Sequence, residues 1–529
     1  MAEDKTGAAV YKRYETMLGN RVNWSTHWDE VSEYVVPRKD NIYGQQVRGE
    51  KKSSNLYDTK GIMANEALAS AMHGMMTNPT SVWFGLSTGN DTLDETDEVQ
   101  KWLQETVRIM INTFNESNFQ TEIHESYVDL SSFGTYVLRV EEDDETDVRF
   151  HARPIYEHVI DENSKGIVDT VFFEFEMSAK QMAEEFGVEA LDQMLKDKLE
   201  QNPEHKEKML HAVQPSSDVI SYLKPFGSKK FVSYKVLKRT KQVMEKKGFF
   251  ENPFIVPRWT KIAGEKYGRS PAMKGLSDIK MANQMKKATI EGAQLQVAPP
   301  LQVPDDGVLL PIRTGPRSIN FYRAGSKDRI EPMNTGSNVQ LGEQLIAQVH
   351  EEIEKHFFLD QLRLVESDRM TATEVLQRRD EQLRTLGPIL GRQHNELLKP
   401  LVERVYNILE RRGKIPNPPQ VLQNNPVKVR YTSQIAKAQM AQEGDQILKA
   451  FQLVAPFMEM DPTIIDNLEG DALMRFSAKI YGLPHEILRD RKDVEALRQE
   501  RQQAQQQEAA AQQQNVEADT ANKLAGAAQ

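Results

Sequence analysis

Apolar residues recur at helical spacing along much of this chain and alternate at strand spacing in one compact region. Ala8–Met17 has helical periodicity. Trp24 and Trp28 stand four apart, which places both on one helical face and marks them as core. Gly61–Met76, rich in alanine and methionine, reads as a buried helix stopped at Asn78-Pro79. Alternation predicts strands at Thr135–Val140, Asp147–Ala152 and Tyr156–Ile160. After a turn at Asn163–Gly166 comes another at Ile167–Glu176, where Phe172, Phe173 and Phe175 add the aromatic bias of a pleated surface. Ser178-Ala-Lys-Gln181 has capping-box form and starts a short helix, and Phe231–Leu237 returns to strand. This pattern predicts the α+β class.

The most informative stretch is Glu251–Pro311. Ser270 is placed to cap a helix opening with Pro271, whose missing N–H costs nothing there, and the next stop is Pro299-Pro300. The spacing predicts a rod of about 27 residues and roughly 40 Å. Its apolar positions (Ala272, Met273, Leu276, Ile279, Ala282, Met285, Ile290, Ala293) are mostly small or flexible, so the rod needs neighbours. Pro299–Thr335 is too stiff for a linker and too broken for a helix, which predicts short strands and turns. Ser337-Asn-Val-Gln340 again has capping-box form, and Leu341, Leu345, Val349, Ile353 and Phe357 form a stripe at spacing four. The unit therefore reads as helix, proline-rich tip, helix back.

Leu359–Met370 is a loop carrying Arg363, Glu366, Asp368 and Arg369. Thr371-Ala-Thr-Glu374 caps a long helix with apolar positions from Leu376 to Ile408, and Gly387-Pro388 predicts a kink within it. Further helices are expected between Ser433 and Leu488. The Gln- and Ala-rich tail, Asp493–Gln529, has almost no large apolar residue after Leu497 and is expected to be a helix that frays, with a role as a partner-binding arm the sharper reading.

Composition narrows the classes. A chain of 529 residues holds roughly two to four domains. A mean hydropathy of -0.60 implies much surface, as an elongated or assembled protein has. The absence of cysteine excludes disulfides and thiolate metal sites and is compatible with a reducing cytoplasm. No run of 18 apolar residues occurs, and no apolar core of signal-peptide length follows Met1, so a soluble protein not exported by that route is expected. The net charge of -11 is uneven: Asp91–Asp147 holds 16 acidic against 3 basic residues, whereas Lys261–Pro299 holds 7 basic against 3 acidic. Tight static DNA binding needs denser clusters of Lys and Arg than these.

Catalytic signatures fail one by one. Gly264-Glu-Lys-Tyr-Gly268-Arg269-Ser270 has three residues between its glycines instead of four, and Arg where a phosphate loop has Lys. His350 and His356 stand six apart, not four, and Glu352 with His356 reads as a surface ion pair. Asp305-Asp306 and Glu141–Glu145 read as solvated acidic loops. There is no G-x-S-x-G and no dinucleotide fingerprint, so no enzyme and no cofactor is expected.

Six segments in fixed order carry a resemblance: LASAMHGMMTNPTSVWFGL (Leu68–Leu86), SSFGTYVLRVEED (Ser131–Asp143), NPFIVPRW (Asn252–Trp259), YGRSPAMKGLSDIK (Tyr267–Lys280), APPL (Ala298–Leu301) and DRMTATEVLQRRDE (Asp368–Glu381). They resemble the portal, or head-to-tail connector, proteins of short-tailed bacteriophages. The likeness runs from about Trp24 to Pro416 and fades from Val421 onward.

The resemblance implies a ring-forming fold, typically of twelve copies, with long stem helices, an α/β wing, a small clip and a helical crown. It implies a position at one capsid vertex of the virion, after synthesis in the host cytoplasm. By position, 1–260 would be the wing body, 261–298 the first stem region, 299–336 the clip and 337–358 the second stem helix. Residues 359–370 would be the tunnel loop, 371–412 a kinked wing helix, 413–492 the wing and crown, and 493–529 a partly disordered tail. Implied partners are duplex DNA, the terminase large subunit, a tail adaptor, and capsid, scaffolding or internal core proteins.

A channel passing a genome must not grip it, and a ring of twelve multiplies the negative charge of each chain. The few cations facing the lumen would then guide DNA weakly. Arg363, Arg369, Lys280, Lys286 and Lys287 are the candidates there, and Asp305, Asp306, Arg313, Arg317 and Arg323 the candidates for clip docking. The rival readings are an internal scaffold or minor structural virion protein, and a ring translocase ATPase, which would need the phosphate loop this chain lacks.

Overall fold

The computed structural model describes residues 5–39, 42, 55–94, 96–216, 228–303, 338–362, 386–422, 428–430, 469–481, 489 and 493–507, with short pieces between 311 and 336 and between 444 and 456. Two units separate. The larger takes 1–79 and 114–408, and the smaller takes 80–113 with 409–529. Residues 80–113, which the sequence reading kept with the rest of 1–260, thus group with the C-terminal part.

The larger unit is built on a five-stranded antiparallel sheet in sequence order: β4 (His158–Glu162), β5 (Val168–Ser178), β6 (Lys206–Pro215), β7 (Phe231–Leu237) and β8 (Gln242–Phe249). Helix α1 (Lys5–Asn20) lays Val10, Tyr11, Tyr14 and Met17 on one face, against Phe172, Leu210, Ala212, Val232 and Tyr234. Its approach is so close that a Cβ on Gly7 would lie 1.9 Å from the Lys241 carbonyl oxygen. The other face carries α6 (Ala179–Phe186) and α7 (Gln193–Gln201), which bury Met182 and Leu195 against Met209 and Leu237. The capping box before α6 forms in full, with Gln181 N–H donating to Ser178 Oγ at 3.3 Å and Ser178 N–H to Gln181 Oε1 at 2.9 Å.

A second sheet orders β3 (Asp147–Pro154), β2 (Tyr136–Asp143) and β9 (Phe254–Ile255). Against it runs α5 (Phe119–Phe133), whose residues are buried on nearly every side. Around it pack α2 (Val22–Val35) and α3 (Lys60–Met76). Trp28 is fully buried and donates its indole N–H to the Phe133 carbonyl at 3.2 Å, as a core tryptophan requires.

The smaller unit contains most of α4 (Asp97–Glu116) and a strand pair, β1 (Gly85–Ser87) with β12 (Lys428–Arg430). Trp102 donates to the Pro416 carbonyl at 2.8 Å, and Arg475 of α11 (Gly470–Tyr481) meets Asp97 at 2.9 Å. Residues 493–507 are helical, and Arg498 forks onto both carboxylate oxygens of Asp471. The rest of the tail lies outside the described residues.

Candidate functional site

Helices flank the proline-rich segment, and they differ from the expected spacing in two places. Ser270 does cap, accepting from Met273 N–H at 2.9 Å while donating to the Ser132 carbonyl at 2.7 Å. The expected single rod is broken at Gly275, however: Pro271–Lys274 is one turn, and α8 proper is Leu276–Val297, 22 residues or about 33 Å. Gly275 lies against the His356 ring, where an added Cβ would sit 3.1 Å from the nearest ring atom. The return helix, α9 (Val339–His356), is capped one residue later than the sequence suggested, by Asn338 accepting from Leu341 N–H at 3.1 Å.

Helices α8 and α9 run antiparallel in close contact. At one end His356 Nε2 meets Asp278 at 3.0 Å, and toward the other Gly342 is so near Thr289 that a Cβ would lie 2.7 Å from its hydroxyl. The connecting lobe is closed at its base by the two-residue strands β10 (Leu301–Gln302) and β11 (Glu331–Pro332), with Met333 N–H donating to the Pro300 carbonyl at 2.8 Å. Within it Asn320 clamps the Arg313 backbone from both sides, at 2.7 and 2.8 Å.

The root of the hairpin is strapped by 55–60. Asn283 accepts from Tyr57 N–H at 2.7 Å and Asp58 N–H at 3.0 Å and donates to the Asn55 carbonyl at 3.1 Å. Asp58 pairs with His350 of α9 at 2.8 Å, and Lys60 pairs with Glu354. His350 and His356 are therefore each held by an aspartate. Glu352 pairs with Lys355, and no group of three or more metal-ligating side chains occurs among the described residues.

The basic candidates do not share one fate. Lys280 is tied to Glu30 of α2 at 2.9 Å and lies over the Tyr34 ring; that hydrogen bond holds the Glu30 carboxyl below its usual range. Lys287 lies 5.6 Å from the Tyr57 ring centre and 4.0 Å from Glu291, one turn on. Lys286 is half-buried and forms no ion pair among the described residues. Arg313 and Arg317 are exposed on the lobe. Arg363, Arg369, Asp305, Asp306 and Arg323 lie outside the described residues.

Sequence reasoning named the motif around Arg258 without seeing what it builds. Arg258 is 2% exposed, and all five of its guanidinium N–H groups are used. Nε donates to Glu396 Oε2 at 3.1 Å, Nη2 to Glu396 Oε1 and the Gly166 carbonyl, and Nη1 to Glu162 and the Lys266 carbonyl. Burial works against the charge on Glu162, yet hydrogen bonds from Lys261 and Arg258 outweigh it and hold the carboxyl below its usual range.

Glu396 reaches this position from a π turn at His394–Leu398, where the Lys399 N–H returns to the His394 carbonyl. Pro400 explains the turn, because its ring cannot follow the carbonyl four residues back in a regular α-helix. Residues 386–393 are helical through Gly387-Pro388, and α10 (Lys399–Arg411) continues beyond the turn. The described irregularity thus sits later than the expected kink; the chain before Leu386 lies outside the described residues.

Beside Arg258, Gly134 and Gly268 meet backbone to backbone, such that a Cβ on either would lie within 2.4 Å of the other's carbonyl oxygen. Trp259 N–H donates to the Gly134 carbonyl at 2.9 Å, and Gly268 N–H to Thr135 Oγ1 at 2.8 Å. Three of the six motif segments, 131–143, 252–259 and 267–280, therefore converge on one joint that seats the first turn of the hairpin.

The profile of the family described as bacteriophage head to tail connecting protein matches residues 8–488, both hairpin helices and the joint included. The chain belongs to that family. Connector proteins are structural, and this chain is not an enzyme. Its relatives include the probable portal protein of Bordetella phage BPP-1, 29% identical across 99% of this chain and 96% of its own length. The portal protein of Salmonella phage epsilon15 is 27% identical across 93% of this chain and 90% of its own length. A chain from the neck of an empty GTA particle aligns over 79% of this chain and 93% of its own length, at 11% identity and a TM-score of 0.37. No helix among the described residues is long and apolar enough to cross a membrane.

Proposed function

We propose that this connector-family chain is a portal subunit: copies close into a ring at one capsid vertex of the virion, and the hairpins line a channel through which duplex DNA is packaged and later ejected. The lobe between α8 and α9 is the clip, offered first to the packaging terminase and then to the tail adaptor. The observation that carries this reading is the family match over 8–488, taken with two relatives named portal proteins that align over nearly their whole lengths. The hairpin's form supports it: two antiparallel helices are joined through a segment closed at its base by a strand pair and are rooted by the strap and the joint. The proposed guides are Lys280, which is paired with Glu30, together with Lys286, Lys287, Arg363 and Arg369.

Electron microscopy of the purified chain tests the ring directly. Rings with a central hole wide enough for duplex DNA are expected, and filaments or compact monomers would refute the reading. Deleting 305–329 is expected to leave rings while abolishing packaging or tail attachment; full packaging and tailing after that deletion would refute the clip assignment.

A further inference from the structure

The hairpin layer has two opposite sides, and both expose apolar side chains at matching heights. Asn283, His350 and Glu354 contact the 55–60 strap and so mark one side. At roughly 100° per residue, Met281 and Leu295 on α8 and Leu341 and Leu345 on α9 turn about 120–180° away from those strap-facing positions. They are 41%, 40%, 50% and 40% exposed. The contacts Asp278–His356 and Thr289–Gly342 fix the antiparallel alignment, which sets Leu345 level with Lys286 and Leu341 level with Ile290. Climbing the hairpin, Met281, Leu345, Leu341 and Leu295 therefore follow one another as a continuous stripe. On the strap side, Tyr57 at the level of Asn283, then Ile290 and Val297, are 41%, 37% and 86% exposed and cover the same span.

We infer that these stripes are the two halves of one contact between neighbouring copies, the 281/295/341/345 stripe of one chain seating on the 57/290/297 stripe of the next. This rests on the ring reading above. Two unlike apolar patches on opposite sides of one layer suit a head-to-tail contact, which covers both in every copy, whereas a two-fold dimer covers one and leaves the other wet. A closed ring has no rise along its axis, so stripes of equal height in one chain stay level between chains. The strap thereby joins the interface through Tyr57.

Mixing two half-blocked variants tests this. Leu341→Glu with Leu345→Glu blocks one stripe, and Ile290→Glu with Val297→Glu blocks the other. All four positions are exposed, so each variant is expected to keep the helical circular-dichroism signal and melting midpoint of the natural chain. Each alone is expected to lose rings in electron microscopy and native mass spectrometry. An equimolar mixture is expected to recover a 1:1 dimer, because each variant keeps the half the other lacks. The inference is overturned if the 290/297 variant assembles like the natural chain or if the folded mixture stays monomeric. A natural chain that itself forms no ring overturns the portal reading as well, so the two failures are told apart.

Discussion

Arg258 and Glu396 lie 138 residues apart in the chain and meet through three hydrogen bonds, two from the guanidinium and one from the Arg258 backbone N–H. Lysine cannot reproduce this, because an ammonium is a point donor without the planar fork. Arg258→Lys and Glu396→Gln are each expected to destabilise the chain by about 3–5 kcal/mol, the range for breaking a buried pair and stranding its partner. Denaturant unfolding measures this, and a loss below about 1 kcal/mol would show the joint to be less demanding than its geometry implies.

Three glycines near the joint separate two kinds of constraint. Gly134 combines a φ of +75° with backbone crowding, Gly268 has the crowding alone, and Gly264 has a φ of +88° with open space around it. Alanine at Gly264 is expected to cost about 1 kcal/mol, the usual left-handed penalty. Alanine at Gly134 or Gly268 must also push two backbone segments apart, so soluble yield and melting midpoint should fall much further. Equal effects at all three sites would contradict the close approach.

Acid should weaken the larger unit through two buried histidines. His158 is pushed down to about 3 and His211 well below its ordinary value, each chiefly by burial. Nearby Arg139 adds to both, although a backbone hydrogen bond from His158 to Pro154 partly opposes its shift. His158 Nε2 has no hydrogen-bond partner among the described residues, so a second ring proton would be stranded. The folded state keeps both rings neutral, while the unfolded chain takes up protons below about 6.5. Stability is therefore full above that pH and lost as pH falls, by about 1.4 kcal/mol per unit for each ring. Unfolding measured from pH 7.5 to 5 should show this slope, and His158→Gln should remove about half of it.

The strap gives a local prediction. Asn283→Ala leaves the Tyr57 and Asp58 N–H groups without their acceptor, at about 1–3 kcal/mol for each stranded group. Faster amide exchange confined to 55–60 and the base of α8 is expected. Unchanged exchange there would mean that Asp58–His350 and Lys60–Glu354 hold the strap unaided.

Elements with a short-range signature were legible in the sequence: the Ser270 cap, the Ser178–Gln181 box, the Phe-rich strand β5 and the hairpin stripe all announce themselves within a few residues. What stayed hidden depends on partners far along the chain. Gly275 looks like a tolerable helix residue until His356 is placed against it, and Pro400 shows its effect only as a π turn that carries Glu396 to Arg258. Helices α4 and α5 and strands β6 and β8 went unpredicted. The second half of α5, Ser126–Phe133, is buried on all sides and so lacks an exposed polar face for periodicity to reveal. The acidic excess of Asp91–Asp147 misled in another way, since Asp129 is buried against Lys39 and Glu122 accepts from Ala152 N–H at 2.6 Å, so part of that charge is spent internally. Three of the six motif segments that carried the family resemblance, 131–143, 252–259 and 267–280, meet at the joint, whereas Lys286 and Lys287 lie on a helix whose pattern alone does not say which neighbour they face.

The strap and the Lys280–Glu30 tie grip the lower part of α8 and the Ser270–Ser132 bond holds the turn before it, while among the described residues the chief neighbour of its upper turns is α9. Mechanically this is a beam fixed at one end. A sideways load beyond the upper turns would be expected to bend them before the anchored root. Under the portal reading proposed above, compliance would then fall at the end offered to changing partners, and rigidity at the end beside the bore.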